Sequence, residues 1–276
     1  MQQQPQSLAV WLAFLSRADI PVLRHTTREL ERLRADESLL NARNIADVVT
    51  DDPLMTAKLL RYLQTHKHRN QKYELVDVKQ ALLMLGLDPF FREVPAMPVA
   101  EDMLHDHRTA LVHLLQTVRR AQRAAYYAYD WALRLHDLHA EEVYVSALLT
   151  YVSEMLMWCF NPGPMLEIAR RQAADPGLRS MDVQQQVLGF AGVDLQRQLT
   201  AEWQLPELLK DLTDPARANT IRVRNVVLAA RLARHSAQGW DNAALPDDYR
   251  AIAALLRMEP DKVMALVKRP PAIAPD

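Results

Sequence analysis

The segment from Arg134 to Glu142, RLHDLHAEE, places two histidines and three carboxylates within a few residues. Imidazole and carboxylate groups are common protein ligands of divalent metal ions, and a bound ion can activate water for hydrolysis. The adjacent pair His136-Asp137 therefore raises the question of a hydrolytic metal centre. Such a centre needs three or more ligands that converge from separate elements and leave one coordination position open.

The immediate neighbourhood of the pair argues for a polar connection instead. HDLHAEE lies between two strongly helical patterns, and Glu141 and Glu142 suit the first turn of the second helix, where the helix dipole favours carboxylates. His136 and His139 could share a face only if this segment were itself helical. We therefore predict that residues 136–142 form a solvated connection rather than a metal site.

The other histidines and the single cysteine offer no clearer centre. His105 and His107 lie two apart near a predicted helix start, and alternate residues on a helix point in different directions. His66 and His68 fall in the polar sequence QTHKHRNQK. The remaining histidines stand without a nearby carboxylate: His25, His113 and His235. The apolar sequence MLMWCF around Cys159 predicts a buried structural thiol.

Composition argues against several classes of protein. The 276 residues include 33 lysines and arginines against 34 aspartates and glutamates, whereas nucleic-acid-binding proteins normally show a basic excess. Only 6 glycines are present, and neither GxGxxG nor GxxxxGK[ST] occurs, which argues against phosphate-binding loops. The N-terminus lacks the basic region of a secretory signal, and no run of roughly 18 apolar residues is present. We predict a soluble, cytoplasmic protein with no membrane partner.

The spacing of the apolar residues predicts an all-α fold, since Leu, Ala, Arg and Glu dominate and recur with helical periodicity. Asp52-Pro53 is predicted to start a helix, with the aspartate as its cap and the proline as its first residue. Another helix should end near Gly86, before Asp88-Pro89 begins the next.

The second half of the chain is predicted to be equally helical. A long helix is expected over 107–135, with three arginines on its solvated face: Arg119, Arg120 and Arg123. The segment 140–160 is apolar on nearly all sides, which predicts a single central buried helix. Two further helices are expected in 181–212, separated near Gly189 and Gly192.

The order of these motifs resembles the HDOD domain, an HD-related output domain of bacterial signalling proteins. That family shows an Ile-x-x-Asp-Pro-x-Leu-x-x-x-Leu-Leu-Arg run, then Asn-Ser, then Ala-Ile-x-x-Leu-Gly. The matching residues are Asp52, Pro53, Leu54, Leu59, Leu60, Arg61, Ala81, Leu85 and Gly86, with Gln64-Thr65 in place of Asn-Ser. Further matches are Thr117 and Ala121 at the Ser-x-x-x-Ala positions, and Trp203, Leu205 and Pro206 in a Trp-x-Leu-Pro segment.

The resemblance spans Ile20 to Asp214 and implies a multi-helix HD-like fold. An N-terminal helical lobe would pack on a C-terminal degenerate HD-type lobe, with Pro95 and Pro98 marking the boundary between them. The predicted parts are an N-terminal helical extension at 1–19, the N-terminal lobe at 20–98, the degenerate HD-like lobe at 99–215, C-terminal helices of the same domain at 216–269 and a disordered tail at 270–276.

The same resemblance indicates where a metal site would have been. In HD phosphohydrolase relatives a His-Asp pair closes a Gly-Leu-Leu-His-Asp run on the central helix, and the sequence ALLTY places Thr150 and Tyr151 there. The other ligand positions fall at Gln116, Ala191, Gly192, Thr213 and Asp214. Of these residues only Asp214 readily ligates an ion, so the resemblance implies that the catalytic metal site is absent. His136-Asp137 then matches the signature in letters only.

The hypothesis that follows is a non-catalytic bacterial signalling module, with no catalytic residues, no metal and no cofactor. It would act by binding a protein partner or a small ligand in a cleft between the lobes. Tyr151, Trp158 and Trp203 are candidates to line that cleft, although simple core packing explains each of them as well.

Two alternatives stay open. A residual metal-dependent phosphohydrolase would combine Asp214 with unaligned histidines: His105, His107, His136 and His139. A nucleic-acid-binding regulator would use a cluster of arginines near the C-terminus: Arg222, Arg224, Arg231 and Arg234. The near-neutral charge of the whole chain argues against nucleic acid as a partner.

Overall fold

In a computed structural model of the chain, the described residues are 7–66, 77–175 and 177–268. The predicted all-α fold is confirmed, because these residues form helices and contain no β-strand. Within them the sole β-type pairing is a parallel bridge between Val22 and Val99. The predicted disordered tail at 270–276 and His68 lie outside the described residues.

The helices follow one another along the chain. They are α1 (Leu8–Leu15), α2 (Arg24–Ala35), α3 (Ala42–Asp51), α4 (Pro53–Thr65), α5 (Val78–Leu85), α6 (Leu87–Glu93), α7 (Ala100–Met103), α8 (Arg108–Arg134), α9 (Ala140–Leu148), α10 (Val152–Phe160), α11 (Pro162–Ala174), α12 (Ser180–Leu188), α13 (Gly192–Glu202), α14 (Glu207–Asp211), α15 (Ile221–His235), α16 (Leu245–Leu256) and α17 (Pro260–Val267). Two 3₁₀ turns, Leu149–Tyr151 and Pro215–Arg217, complete the series.

The chain forms two compact units. The first consists of Met1–Val118 and Tyr151–Pro206, and the second consists of Arg119–Thr150 and Glu207–Asp276. Helix α4 belongs to the core of the first unit, since nine of its 13 residues are buried. Helix α15 has the same place in the second unit, with eight of its 15 residues buried.

Asp52 fixes the start of α4, as its position before a proline predicts. Its Oδ1 accepts hydrogen bonds from the backbone N–H groups of Leu54 (2.9 Å) and Met55 (3.2 Å), which have no partner within the helix. Its Oδ2 accepts from the backbone N–H of Leu23 and from the hydroxyl of Thr26, both at 2.8 Å. One fully buried carboxylate therefore joins the start of α4 to the start of α2.

Two glycines end helices where the sequence predicts a break. Gly86, at φ 84°, follows α5, and Gly189, at φ 82°, ends α12 in the left-handed conformation that glycine adopts without steric cost. Helix α6 begins at Leu87, one residue before the predicted Asp88-Pro89 start. Gly192 is the first residue of α13, and its backbone N–H donates to the side chain of Gln184.

The segment Ala140–Phe160 is not the single helix that its composition predicts. A 3₁₀ turn at Leu149–Tyr151 separates α9 from α10, and uniformly apolar sequence carries no signal for such a change. Among the described residues, this is the one stretch long and apolar enough to cross a membrane, and 72% of its most apolar window is buried inside the protein. Core helices of soluble proteins have the same character.

Two further expectations need correction. The range 181–212 contains three helices rather than two, because α14 follows Pro206, and α11 lies where the sequence analysis predicted no element. Arg123 does not lie on a solvated face. Its guanidinium lies over the rings of Tyr127 (5.9 Å to the centroid) and Trp240 (5.2 Å), whereas Arg119 is exposed as expected.

Candidate functional site

Thr150 and Tyr151, the positions predicted for a His-Asp pair, lie in the 3₁₀ turn between α9 and α10. The hydroxyl of Thr150 donates to the backbone carbonyl of Ser146 at 3.0 Å. Tyr151 is half-buried and precedes the first residue of α10. The Thr150 hydroxyl therefore satisfies a carbonyl of the preceding helix α9, as threonine commonly does four residues after a carbonyl.

Several of the other predicted ligand positions also take part in local structure. Gln116 is exposed on α8, and Ala191 is buried just before α13. The hydroxyl of Thr213 donates to the carbonyl of Lys210 at 3.0 Å. Asp214 is exposed, and its carboxylate accepts from the backbone N–H two residues later at 2.9 Å, which caps the second 3₁₀ turn.

These residues do not fit a divalent metal ion. A catalytic site needs several anionic or imidazole donors, and of the residues at these positions only Asp214 carries such a group. Nowhere in the described ranges do three or more His, Cys, Asp or Glu side chains come together in a way that could hold an ion. Cys159 is buried, as predicted, and burial raises the pKa of its thiol well above the usual range.

The pair His136-Asp137 lies in the connection between α8 and α9, and its two residues have different environments. His136 and His139 are exposed, and His136 adopts a left-handed backbone at φ 56°. Asp137 instead forms a bidentate ion pair with Arg222, with both N···O distances 2.8 Å. Burial opposes ionisation of Asp137, but the hydrogen bond and charge of Arg222 outweigh it and lower the pKa of the carboxyl.

Ion pairs within the chain engage some of the arginines that were candidates for binding nucleic acid. Arg222 also contacts Glu142 at 3.1 Å, and Arg231 forms an ion pair of 2.9 Å with the fully buried Asp248. An arginine held by a carboxylate of its own chain has less charge to offer a phosphate. Two of the four candidate arginines are therefore engaged inside the second unit.

His105 and His107 border a cavity of about 460 Å³ at the start of α8. Its lining residues are His105, Asp106, His107, Arg108, Thr109 and Leu166. His105 Nε2 lies 2.9 Å from Asp106 Oδ2, and both side chains are more than two-thirds exposed. Solvated groups of this kind hold a ligand weakly, because water competes for every contact.

A second cavity, which we call the α4 cavity, has more charged residues in its lining than the first. Its volume is about 310 Å³, and its lining residues are Asp19, Lys58, Arg61, Tyr62, Thr65, Glu93, Val94 and Pro95. All of them belong to the first unit. Four of them come from α4 itself: Lys58, Arg61, Tyr62 and Thr65. Asp19 follows α1, Glu93 is the last residue of α6, and Val94 and Pro95 follow it.

Lys58 holds together the chain segments around the α4 cavity. Its side chain is only 6% exposed, and its ammonium lies 2.7 Å from Asp19 Oδ1. It also donates to the backbone carbonyls of Ile20 (3.2 Å) and Met97. An ammonium group has three N–H donors, so these three acceptors satisfy it completely.

Burial lowers the pKa of Lys58, although Asp19 opposes the change. The ordinary lysine pKa is about 10.4. At pH values between the lowered pKa and this value, Lys58 has lost its proton in the native protein but keeps it in the unfolded chain. The free energy of unfolding therefore rises with pH in this range. We expect the difference in unfolding free energy between wild type and Lys58→Met to grow in favour of wild type as the pH rises toward the ordinary lysine pKa of about 10.4. Urea denaturation at successive pH values measures it, and a constant difference would contradict the assignment.

Arg61 is placed by two contacts within the first unit. Its Nη1 donates to the carbonyl of Ala18 at 2.8 Å, and its guanidinium lies over the ring of Trp203, 5.2 Å from the centroid. Trp203 is buried, so the ring gives the guanidinium a fixed apolar support. Burial lowers the pKa of Arg61.

Of the three aromatic residues predicted to line a cleft, none lines the two cavities described above. Trp158 is buried and stacks on His113, with the ring centroids 4.8 Å apart. Trp203 is buried beneath Arg61, which does line the α4 cavity. Their place in a ligand cleft stays a prediction.

Comparison with known protein families identifies the family of this chain. The profile of the HDOD domain matches residues 20–217, which is most of the chain. The chain belongs to the HDOD domain family. Members are HD-related output domains of signalling proteins, so membership supports a signalling role for this HDOD domain. The predicted resemblance, from Ile20 to Asp214, is confirmed over nearly the same span.

Solved structures show that the HDOD fold of this chain recurs. The MmoQ response regulator from Methylococcus capsulatus str. Bath is 15% identical, with 92% of this chain and 100% of that chain covered and a TM-score of 0.70. A virulence factor from Campylobacter jejuni subsp. jejuni is 16% identical, with coverage of 95% and 97% and a TM-score of 0.65. No curated protein matches the chain significantly. At these identities the likeness shows the fold.

The sequence did not single out the α4 cavity of this HDOD domain. Arg61 is the arginine that closes the family motif, whereas Lys58 and Asp19 match none of the motif positions. A lysine inside a helix pattern is usually solvated. Only the structure shows that Lys58 lies within a run of residues buried from Asp52 to Leu60.

Proposed function

We propose that this HDOD domain is a non-catalytic signal-transduction module, a pseudoenzyme of the bacterial cytoplasm, that acts by binding a protein partner or a small ligand. Family membership supports the signalling part of the proposal. The similar fold of a response regulator agrees with it.

The observation that carries the non-catalytic part is the use of the polar groups at the former HD positions. Thr150 and Thr213 donate to backbone carbonyls of the helices that precede them, and Asp214 caps a turn on the surface. A catalytic divalent ion would need these positions to supply several imidazole or carboxylate ligands. The same positions now supply local structure.

Metal analysis combined with a phosphodiesterase assay tests this proposal. We expect the full chain, produced with added manganese and iron, to carry less than one ion per molecule and to hydrolyse bis(p-nitrophenyl) phosphate no faster than buffer with the same metal. An active HD phosphohydrolase serves as the positive control. Stoichiometric metal together with turnover that is lost in Asp214→Ala, or in the double variant His105→Ala/His107→Ala, would establish the residual phosphohydrolase instead.

A further inference from the structure

We propose that the α4 cavity binds a small molecule through an oxyanion, a phosphate or a carboxylate, which Arg61 holds. This inference depends on the proposed role in binding and names the class of ligand. The argument comes from the different states of the two cations that line the cavity.

Lys58 is not available to a ligand. Its three N–H donors are taken by Asp19, Ile20 and Met97, and the group is almost completely buried. Removing any of these acceptors would leave part of a buried charge without a partner, which is costly. Lys58 is therefore a structural cation that forms a wall of the cavity.

Arg61 is in a different state. It is half-buried, and no carboxylate of the described ranges lies within ion-pair distance of its guanidinium. The charge of Asp19 acts on Arg61, but the Asp19 carboxylate pairs with Lys58. One hydrogen bond to the Ala18 carbonyl uses one of the five N–H donors of an arginine. A partly buried guanidinium with open donors beside a cavity is suited to an anionic partner, because protein interiors rarely leave a charge uncompensated.

The geometry of Arg61 favours an oxyanion over a halide or a diffuse charge. A planar guanidinium offers parallel N–H groups that match two oxygens of one phosphate or carboxylate. The Trp203 ring under its face and the Ala18 carbonyl at one nitrogen fix the direction of this fork. The ligand would then pay less entropy for binding, since the receiving group is already oriented.

The remaining lining residues limit the rest of the ligand. The volume of about 310 Å³ is the space of roughly ten water molecules, so the ligand is a small metabolite rather than a dinucleotide. Asp19 and Glu93 would repel a molecule that is anionic throughout. The hydroxyl of Tyr62 can donate a further hydrogen bond. We therefore expect one oxyanion and at least one amino or hydroxyl group in the ligand.

The experiment titrates the full chain, ¹⁵N-labelled at tryptophan, with inorganic phosphate and in a separate arm with acetate, at ionic strength held constant with chloride. The indole N–H signal of Trp203, assigned with Trp203→Phe, reports on Arg61 directly. We expect a saturable shift with at least one of the two anions, and the arm that responds distinguishes phosphate from carboxylate. Absence of a saturable shift with both anions would overturn the proposal.

Variants separate specific binding from general attraction. Arg61→Gln should weaken binding at least tenfold, whereas Arg28→Gln, which removes an exposed arginine on α2 of the same unit, should leave it unchanged. Equal weakening by both, or none by Arg61→Gln, would contradict the site. If Arg61→Gln fails to fold, Tyr62→Phe keeps the ring and Arg61 and should weaken binding roughly fivefold. Unchanged affinity in Tyr62→Phe would then reject the cavity as the place of binding.

The two proposals fail in distinguishable ways. Lack of anion binding without phosphodiesterase turnover rejects the ligand class and leaves the non-catalytic module in place. Metal-dependent turnover rejects the non-catalytic module whatever the titration shows.

Discussion

Replacing Asp52 with alanine should lower the free energy of unfolding by about 3 kcal/mol, because it removes a helix cap and leaves buried donors without acceptors. Loss of an N-cap alone costs about 1 kcal/mol, and an unsatisfied buried donor costs about 1–3 kcal/mol. Asp52 is fully buried and accepts four hydrogen bonds, two from the first turn of α4 and two from Leu23 and Thr26. Urea denaturation followed by circular dichroism measures the change.

The adjacent residue provides the control. Asp51 is exposed and is the last residue of α3, so Asp51→Ala should change the free energy of unfolding by about 0.5 kcal/mol or less. Asp52→Asn should fall between the two, because one oxygen still accepts at the cap while the other becomes a donor facing Leu23 and Thr26. Similar losses for Asp51→Ala and Asp52→Ala would show that the buried carboxylate does not join α2 and α4 in the way described.

A second buried carboxylate should matter as much to the second unit. Asp248, on α16, is fully buried, and its Oδ2 lies 2.6 Å from His235 Nδ1 while its Oδ1 lies 2.9 Å from Arg231 Nη2. We expect Asp248→Ala to cost about 2–3 kcal/mol, because it leaves both partners of α15 without their acceptor and opens a small cavity. Thermal and urea denaturation of the variant measure the loss.

Asp247 is the matched control for that variant. It precedes Asp248 in the first turn of α16, but its side chain is 68% exposed and pairs with Arg250 on the surface. Exposed pairs one turn apart contribute little, so Asp247→Ala should change stability by about 0.5 kcal/mol or less. If the two alanine variants were equally stable, the contacts of Asp248 with α15 would contribute nothing net to the second unit.

The helix ends that the sequence predicted correctly depend on residues that are neighbours in the chain. Asp52-Pro53 predicts a helix start, because the aspartate caps the first turn and the proline has a fixed φ. Gly86 predicts a helix end, because glycine adopts a positive φ there. The order of such local signals was enough to identify the HDOD family.

What the sequence did not predict depends on residues that are far apart in the chain. Asp137 was interpreted as part of a solvated connection, yet it pairs with Arg222, 85 positions later. The exposed His136 beside it fits the prediction. Spacing cannot reveal such a pair, because it exists only after α9 and α15 have packed together. Likewise, nothing local in the sequence distinguishes the enclosed Lys58 from the open Arg61 three residues later.

The composition of the first unit from Met1–Val118 and Tyr151–Pro206 has a consequence for synthesis on the ribosome. Proteins begin to fold while the chain is still emerging, and a unit made of one continuous stretch can be finished before the next begins. Here α10 to α13 are needed to complete the unit to which α1 to α7 belong. The nascent N-terminal helices must therefore wait, with apolar faces uncovered, until Pro206 has been translated and released from the exit tunnel.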